Sequence, residues 1–216
     1  SGVVATELGL ALAKRGHEVH FVVEDIPFRL KKNYDRVFCH LVEPVNYPVL
    51  NQPPYFLTMA SQIAEVVEQY SIQLWHAHYA IPHASTALLA KSMLPENLKF
   101  CLITTLHGTD ITIVGADPSL YKVTKYTMEN SCAVTAVSEW LKQETEREFN
   151  LSKPIHRIYN FVDPSRFKLR NKIRIPWIEK NKKIVMHISN FRAVKRVTDV
   201  IRIFAKILEK VDAQLL

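Results

Sequence analysis

The sequence has 216 residues, 48% of them hydrophobic and 23% charged, and a formal net charge of +7. That length holds one large domain, or one domain and part of another, and no apolar run approaches the ~20 residues of a membrane span. The positive charge is uneven, with fourteen Lys and Arg against three Asp and Glu from Arg166 to Lys210; this suits a phosphate-bearing ligand or an anionic surface, whereas nucleic acid is set aside because neither aromatic interleaving nor a module signature accompanies it.

The first predicted element is a helix over 3–14, with apolar residues at 3, 4, 8, 10, 11 and 12, closed by Arg15-Gly16-His17. "EVHFVVE" (18–24) is a buried strand, and "VFCHLVEP" (37–44) is a second, stopped by Pro44. A helix follows over about 55–70, then a strand at 74–79 and a helix at 82–94 with Pro82 in its first turn. The apolar strand 99–110 ends in a polar cluster. A helix from Ser119, a strand at 132–138, a helix at 139–150 and a strand at 155–163 complete the series. The alternation of strand and helix predicts parallel sheets covered on both faces.

From Pro164 the pattern fades into a basic, mixed stretch, so 165–182 is expected to connect two domains. A new strand (183–189) and an amphipathic helix (197–211) then open the second domain. The expected organisation is a first domain over 1–164 that lacks the strand feeding its opening helix, and a second domain from 183 that is cut off in its first turns.

In open parallel α/β sheets, ligands gather beyond the carboxyl ends of the strands. The polar residues at those ends are His76, His78 and Tyr79; Thr105, His107, Gly108, Thr109 and Asp110; Ser138 and Glu139; and Asn160 and Asp163. They are expected to converge on one cleft with "SNFRAVKR" (189–196), where Arg192, Lys195 and Arg196 stand between a strand and a helix. A diphosphate needs such compensation: a guanidinium fork, an ammonium charge and backbone amides. Ser1 and Gly2, at the start of the first helix, offer unpaired N–H groups and a positive dipole end, although Ser-Gly also serves as a plain helix cap.

The ordered set "SGVVATELGLALAKRGHEVHFV", "HAHYAIPHA", "TTLHGTD", "TAVSEWL", "IYNFVDPSRF" and "HISNFRAVKR" resembles the family-4 GT-B retaining glycosyltransferases over essentially the whole chain. The resemblance implies two Rossmann-like domains, the first for the acceptor and the second for the sugar nucleotide. Within the family, "SNFRAVKR" with "LHGTD" points to the members that move N-acetylglucosamine from UDP-N-acetylglucosamine (UDP-GlcNAc) to the hydroxyl of L-malate, the first step of bacillithiol biosynthesis. The implied catalytic set is His107, Lys195 and Arg192. Lys195 matches the phosphate-binding lysine, and Arg192 stands in for an arginine that many relatives carry where this chain has Asn190. His107 would position the donor sugar. Ser1, Gly2, Tyr79, Thr105, Asn160 and Asn190 would bind substrate, with Phe161 in place of a glycine after Asn160. No metal and no cofactor are implied, since UDP-GlcNAc is a co-substrate. A cytoplasmic enzyme without stable membrane association is expected, and a homo-oligomer is open. The competing readings are a family member with a lipid or inositol phosphate acceptor, and a non-catalytic sugar-nucleotide-binding module.

Other residues carry plainer expectations. His76, His78 and His83 raise the question of zinc, but no cysteine or acid stands near them, and hydrogen-bonded histidines at a cleft edge are favoured. Asp110 reads as a catalytic carboxylate or a cap for the next turn, and Ser138 as a helix N-cap first. Cys39, Cys101 and Cys132 form no CxxC, and buried free thiols in a reducing compartment are predicted. Trp75, Trp140 and Trp177 are expected to pack. Lys122, Lys125 and Arg15 are candidate cations for the malate carboxylates.

Overall fold

The computed structural model describes residues 2–30, 33–43, 54–168, 176–179 and 181–216. Its contacts divide it into two compact units, Ser1–Phe161 and Val162–Leu216. The stretch 165–182 falls within the second unit, with 169–175 and 180 outside the described residues.

The first unit begins with α1 (Gly2–Ala13), followed by β1 (Val19–Val23), β2 (Val37–Leu41), α2 (Tyr55–Tyr70) and β3 (Leu74–His78). Next come α3 (Ser85–Met93), β4 (Cys101–Leu106), the one-turn α4 (Thr109–Thr112), α5 (Pro118–Asn130), β5 (Ala133–Ala136), α6 (Glu139–Phe149) and β6 (Ile155–Arg157). β1 and β2 form a parallel pair, and β3-β4-β5-β6 a parallel four-stranded sheet in that order. The predicted α/β fold with parallel sheets is therefore present.

Strand alternation decides which residues enter the core. On β4, Leu102, Thr104 and Leu106 are all fully buried. Leu102 joins Val67 of α2, Ala87 of α3 and Phe100 in one apolar cluster. Leu106 joins Val134 and Ala136 of β5, Leu141 and Phe149 of α6 and Ile155 of β6 in a second. Trp75 packs on Phe100, with ring centroids 5.7 Å apart. Helix ends follow side-chain chemistry: Ser138 Oγ accepts the Leu141 N–H at 3.1 Å and caps α6, and Asp117 caps α5 by accepting the Ser119 N–H at 2.9 Å ahead of Pro118.

Several expectations need correction. The helix expected over 82–94 is not a single α-helix: a π-helical turn over Ala80–Ala84 precedes α3, and Ile81–Pro82 is a cis peptide. The strand expected to 163 ends at Arg157: the Ile158 N–H still donates to the Ala136 carbonyl of β5 at 2.9 Å, and Ile158, Tyr159, Phe161 and Val162 are exposed. Cys39 and Cys132 are exposed and Cys101 half-buried: Cys39 lies on an uncovered position of β2, and the other two sit at the amino-terminal margin of the sheet rather than in its core. Trp140 and Trp177 are 60% and 69% exposed, so neither packs as Trp75 does.

The second unit holds β7 (Lys183–Val185), α7 (Val197–Leu208) and β8 (Ala213–Leu215), with β7 and β8 parallel. The new strand is thus shorter than 183–189. A 3₁₀ turn over Ala193–Lys195 leads into α7. Gln214 on β8 holds the 176–179 segment: its Nε2 donates to the Trp177 carbonyl at 2.9 Å, and its Oε1 accepts the Glu179 N–H at 3.2 Å.

Candidate active site

In the first unit the polar residues beyond β3 and β4 form one network. The register pairs His76 with Ile103 and His78 with Thr105. Alternation puts His76 and His78 on the same face, stacked with ring centroids 4.5 Å apart, while Ala77 between them enters the core. Thr105 Oγ1 lies 2.6 Å from His76 Nε2 and 2.7 Å from Thr135 Oγ1 on β5. A hydroxyl has one proton and two lone pairs, so two of its three positions already serve the sheet.

Tyr79 follows β3 with φ 87 and ψ 133, a conformation a side chain rarely adopts. Two backbone bonds and one to a side chain hold it there. The Tyr79 N–H donates to the Thr105 carbonyl at 2.9 Å, the Ala84 N–H to the Tyr79 carbonyl at 3.2 Å, and the neighbouring Ala80 N–H to Asp110 Oδ2 at 3.1 Å. The ring of Tyr79 then lies against His107, with centroids 5.1 Å apart.

Asp110 resolves as a structural carboxylate. Its Oδ1 also accepts the N–H groups of His107 (3.1 Å) and Gly108 (2.9 Å). Burial pushes its pKa up, and the backbone N–H donors oppose that shift by favouring the charged form. Accepting from the backbone N–H groups of Ala80, His107 and Gly108, it ties the turn after β3 to the loop after β4. The loop turns at Gly108, whose φ of 122 suits glycine, and packs tightly at Gly115: a Cβ there would stand 2.4 Å from the Asp110 carbonyl oxygen.

The four imidazoles around this loop are neutral near pH 7. Burial above all holds His78 down to about 3 and His107 to about 4, and lowers His76 and His83 as well. Among the described residues, no group of three or more His, Cys, Asp or Glu is placed to hold a metal ion.

Gly2 begins α1, and a Cβ on it would meet nothing within 4 Å. Ser1 lies outside the described residues. Asn160 is exposed in the irregular stretch after β6. The candidate acceptor cations are engaged elsewhere in two cases: Arg15 Nη1 donates to the Ala11 carbonyl at 3.2 Å, and Lys125 Nζ to the Asn150 carbonyl at 3.3 Å. A shallow depression lined by Ile111, Thr112, Ala116, Trp140, Glu144 and Glu148 contains none of the expected site residues, and its two carboxylates oppose an anionic ligand.

The second unit presents the basic loop. With its amide oriented by the donors facing it, Asn190 Oδ1 accepts from Arg192 Nε (3.1 Å) and Nη2 (3.2 Å). Asn190 therefore holds the arginine two places on. Arg196 is paired with Asp199 at 2.6 Å. Lys195 is exposed, and its ammonium makes no ion pair with the described residues.

Parallel sheets with polar residues gathered beyond the strand ends place the chain among open α/β proteins whose ligands lie at those ends. The sequence matches Glycosyltransferase Family 4 over residues 1–166, and the chain belongs to that family; its architecture is that of a GT-B-like glycosyltransferase. It is 48% identical to the N-acetyl-alpha-D-glucosaminyl L-malate synthase of Bacillus anthracis, covering 100% of this chain and 57% of that protein. It is 25% identical to the uncharacterized glycosyltransferase MJ1607 of Methanocaldococcus jannaschii, covering 96% of this chain and 56% of the relative. A second protein of that organism, MJ1178, is 28% identical over 70% of this chain and 41% of its own length. The chain thus spans about half the length of these curated relatives. None of the helices among the described residues is long and apolar enough to cross a membrane.

Proposed function

We propose that the protein transfers N-acetylglucosamine from UDP-GlcNAc to the hydroxyl of L-malate with retention at the anomeric carbon, as the first step of bacillithiol biosynthesis. The supporting observation is the 48% identity, over the entire chain, to a protein named for that product. In this reading residues 1–164 serve the acceptor, 165–182 connect, and 183–216 open the nucleotide-sugar domain.

The chemistry breaks the bond between C1 of the sugar and the β-phosphate oxygen and forms one between C1 and the malate hydroxyl oxygen. The hydroxyl proton passes to a phosphate oxygen, so no protein carboxylate is assigned as base. Charge growing on the β-phosphate is met by Lys195 and by Arg192, oriented by Asn190, through preorganised electrostatics rather than a metal. In the first unit His107 positions the sugar, and Tyr79, Thr105, Ser1, Gly2 and Asn160 are assigned to substrate binding. Thr105 enters with the one position its hydroxyl has left. The low pKa of His107 suits a neutral hydrogen-bonding partner. The enzyme is placed in the cytoplasm.

The test is to incubate the protein carrying this chain with UDP-GlcNAc and L-malate, or with other hydroxy acids, inositol phosphate or no acceptor, and to measure UDP release and the anomeric configuration of the product. Malate-dependent release with an α-linked product is expected. Release that is equal with every acceptor, or with water alone, overturns the reading.

A further inference from the structure

His107, which the proposed chemistry uses, is itself held by a second histidine. Because His78 and Thr105 are register partners, the residue two places beyond Thr105 comes alongside the end of β3. There His78 Nδ1 and His107 Nε2 share a hydrogen bond of 2.9 Å, with ring centroids 5.2 Å apart. The ring of His78 is supported from behind by the stacked His76, itself bonded to Thr105, which reaches Thr135 on the next strand. The backbone of His107 is fixed separately through Asp110.

We propose that His78 is a positioning residue for the transfer reaction: by engaging Nε2 of His107 it fixes the ring and leaves Nδ1 as the nitrogen that meets the sugar nucleotide. This rests on the functional reading above and extends it to a residue that touches no substrate. A neutral imidazole has one N–H and one acceptor nitrogen, so the bond to one nitrogen sets the role of the other. Burial keeps both rings neutral near pH 7, and they share one hydrogen between them instead of facing each other as two donors.

The test compares His78→Asn with His78→Gln in the protein carrying this chain. Asn keeps a polar atom near the place of Nδ1, whereas Gln carries its amide one bond further out. We expect H78N to keep kcat within about threefold of the parent, and H78Q to lose roughly 10- to 100-fold in kcat while KM for malate stays within about twofold. Long-range proton–nitrogen spectra should show the ring nitrogens of His107 shifted in H78Q and unshifted in H78N. Equal activity of the two variants overturns the proposal, whether both keep the parent rate or both lose it, and so does a His107 spectrum indifferent to H78Q. The spectra need no substrate. A His107 shift in H78Q, in a protein that shows no malate-dependent UDP release, would therefore sink the functional reading and leave the histidine pairing standing.

Discussion

Asp110 Oδ2 accepts the backbone N–H of Ala80 at 3.1 Å, so a carboxylate from the loop after β4 fixes the turn after β3. The same side chain accepts from His107 and Gly108 and is 1% exposed. Asp110→Asn replaces one acceptor oxygen with an amide that faces backbone donors. Each buried group left unsatisfied costs about 1–3 kcal/mol, so D110N should lower the urea midpoint and reduce UDP release together. An unchanged midpoint would show that the tie carries no weight.

Gly115 stands behind this tie. An added Cβ would meet the Asp110 carbonyl at 2.4 Å and Thr124 Cγ2 at 3.1 Å, and the first of these is backbone and yields poorly. Gly115→Ala should therefore destabilise by about 1–3 kcal/mol, read as a shift in the urea midpoint. A stability equal to that of the parent would mean that the loop relaxes freely.

Lys195 and Arg192 are exposed on the basic loop, so their removal should leave stability alone. K195A is expected to lower kcat by about 100- to 1000-fold if it meets charge that grows as UDP leaves. R192A should follow in the same direction, and N190A should weaken the reaction less, because it frees the guanidinium without removing it. UDP release at saturating substrate measures all three, and a K195A that alters KM alone would point to ground-state binding.

Acid should unfold the first unit earlier than its carboxylates require. Above the ordinary histidine pKa of 6.5, folded and unfolded imidazoles are both neutral and contribute nothing to the pH dependence. Below it, the unfolded chain takes up protons that the folded one refuses, and stability falls as pH drops towards about 4 for His107 and about 3 for His78. Urea midpoints measured from near neutrality down through that window should decline, and His78→Asn should flatten the decline. A midpoint independent of pH over the window would contradict the burial of these rings.

Much of the fold could be read from the sequence because its signals are local. Apolar runs ending in polar clusters marked β3 and β4 with their polar tails, and Ser138 announced a helix start. The short β6 was not legible: "IYNFV" has strand composition, but β5 ends at Ala136, the register partner of Arg157, and the ladder ends there with it. The candidate residues could be named from the sequence, but the bonds among them could not. His78 and His107 are 29 positions apart, and only the β3–β4 register shows that they touch. Asp110 looked equally like a reactive acid until three backbone donors were seen to converge on it, and Asn190 looked like a lost arginine until Arg192 was found in its grip.

The turn carrying Tyr79 is anchored on both sides, by the Thr105 carbonyl before it and the Asp110 carboxylate after it. Under the proposed function, redirecting the reaction to another hydroxy acid should therefore exchange the aromatic ring and keep the length of the segment that bears it. Lengthening would unhook both anchors, whereas a new side chain at position 79 would inherit the same platform and alter only what it displays.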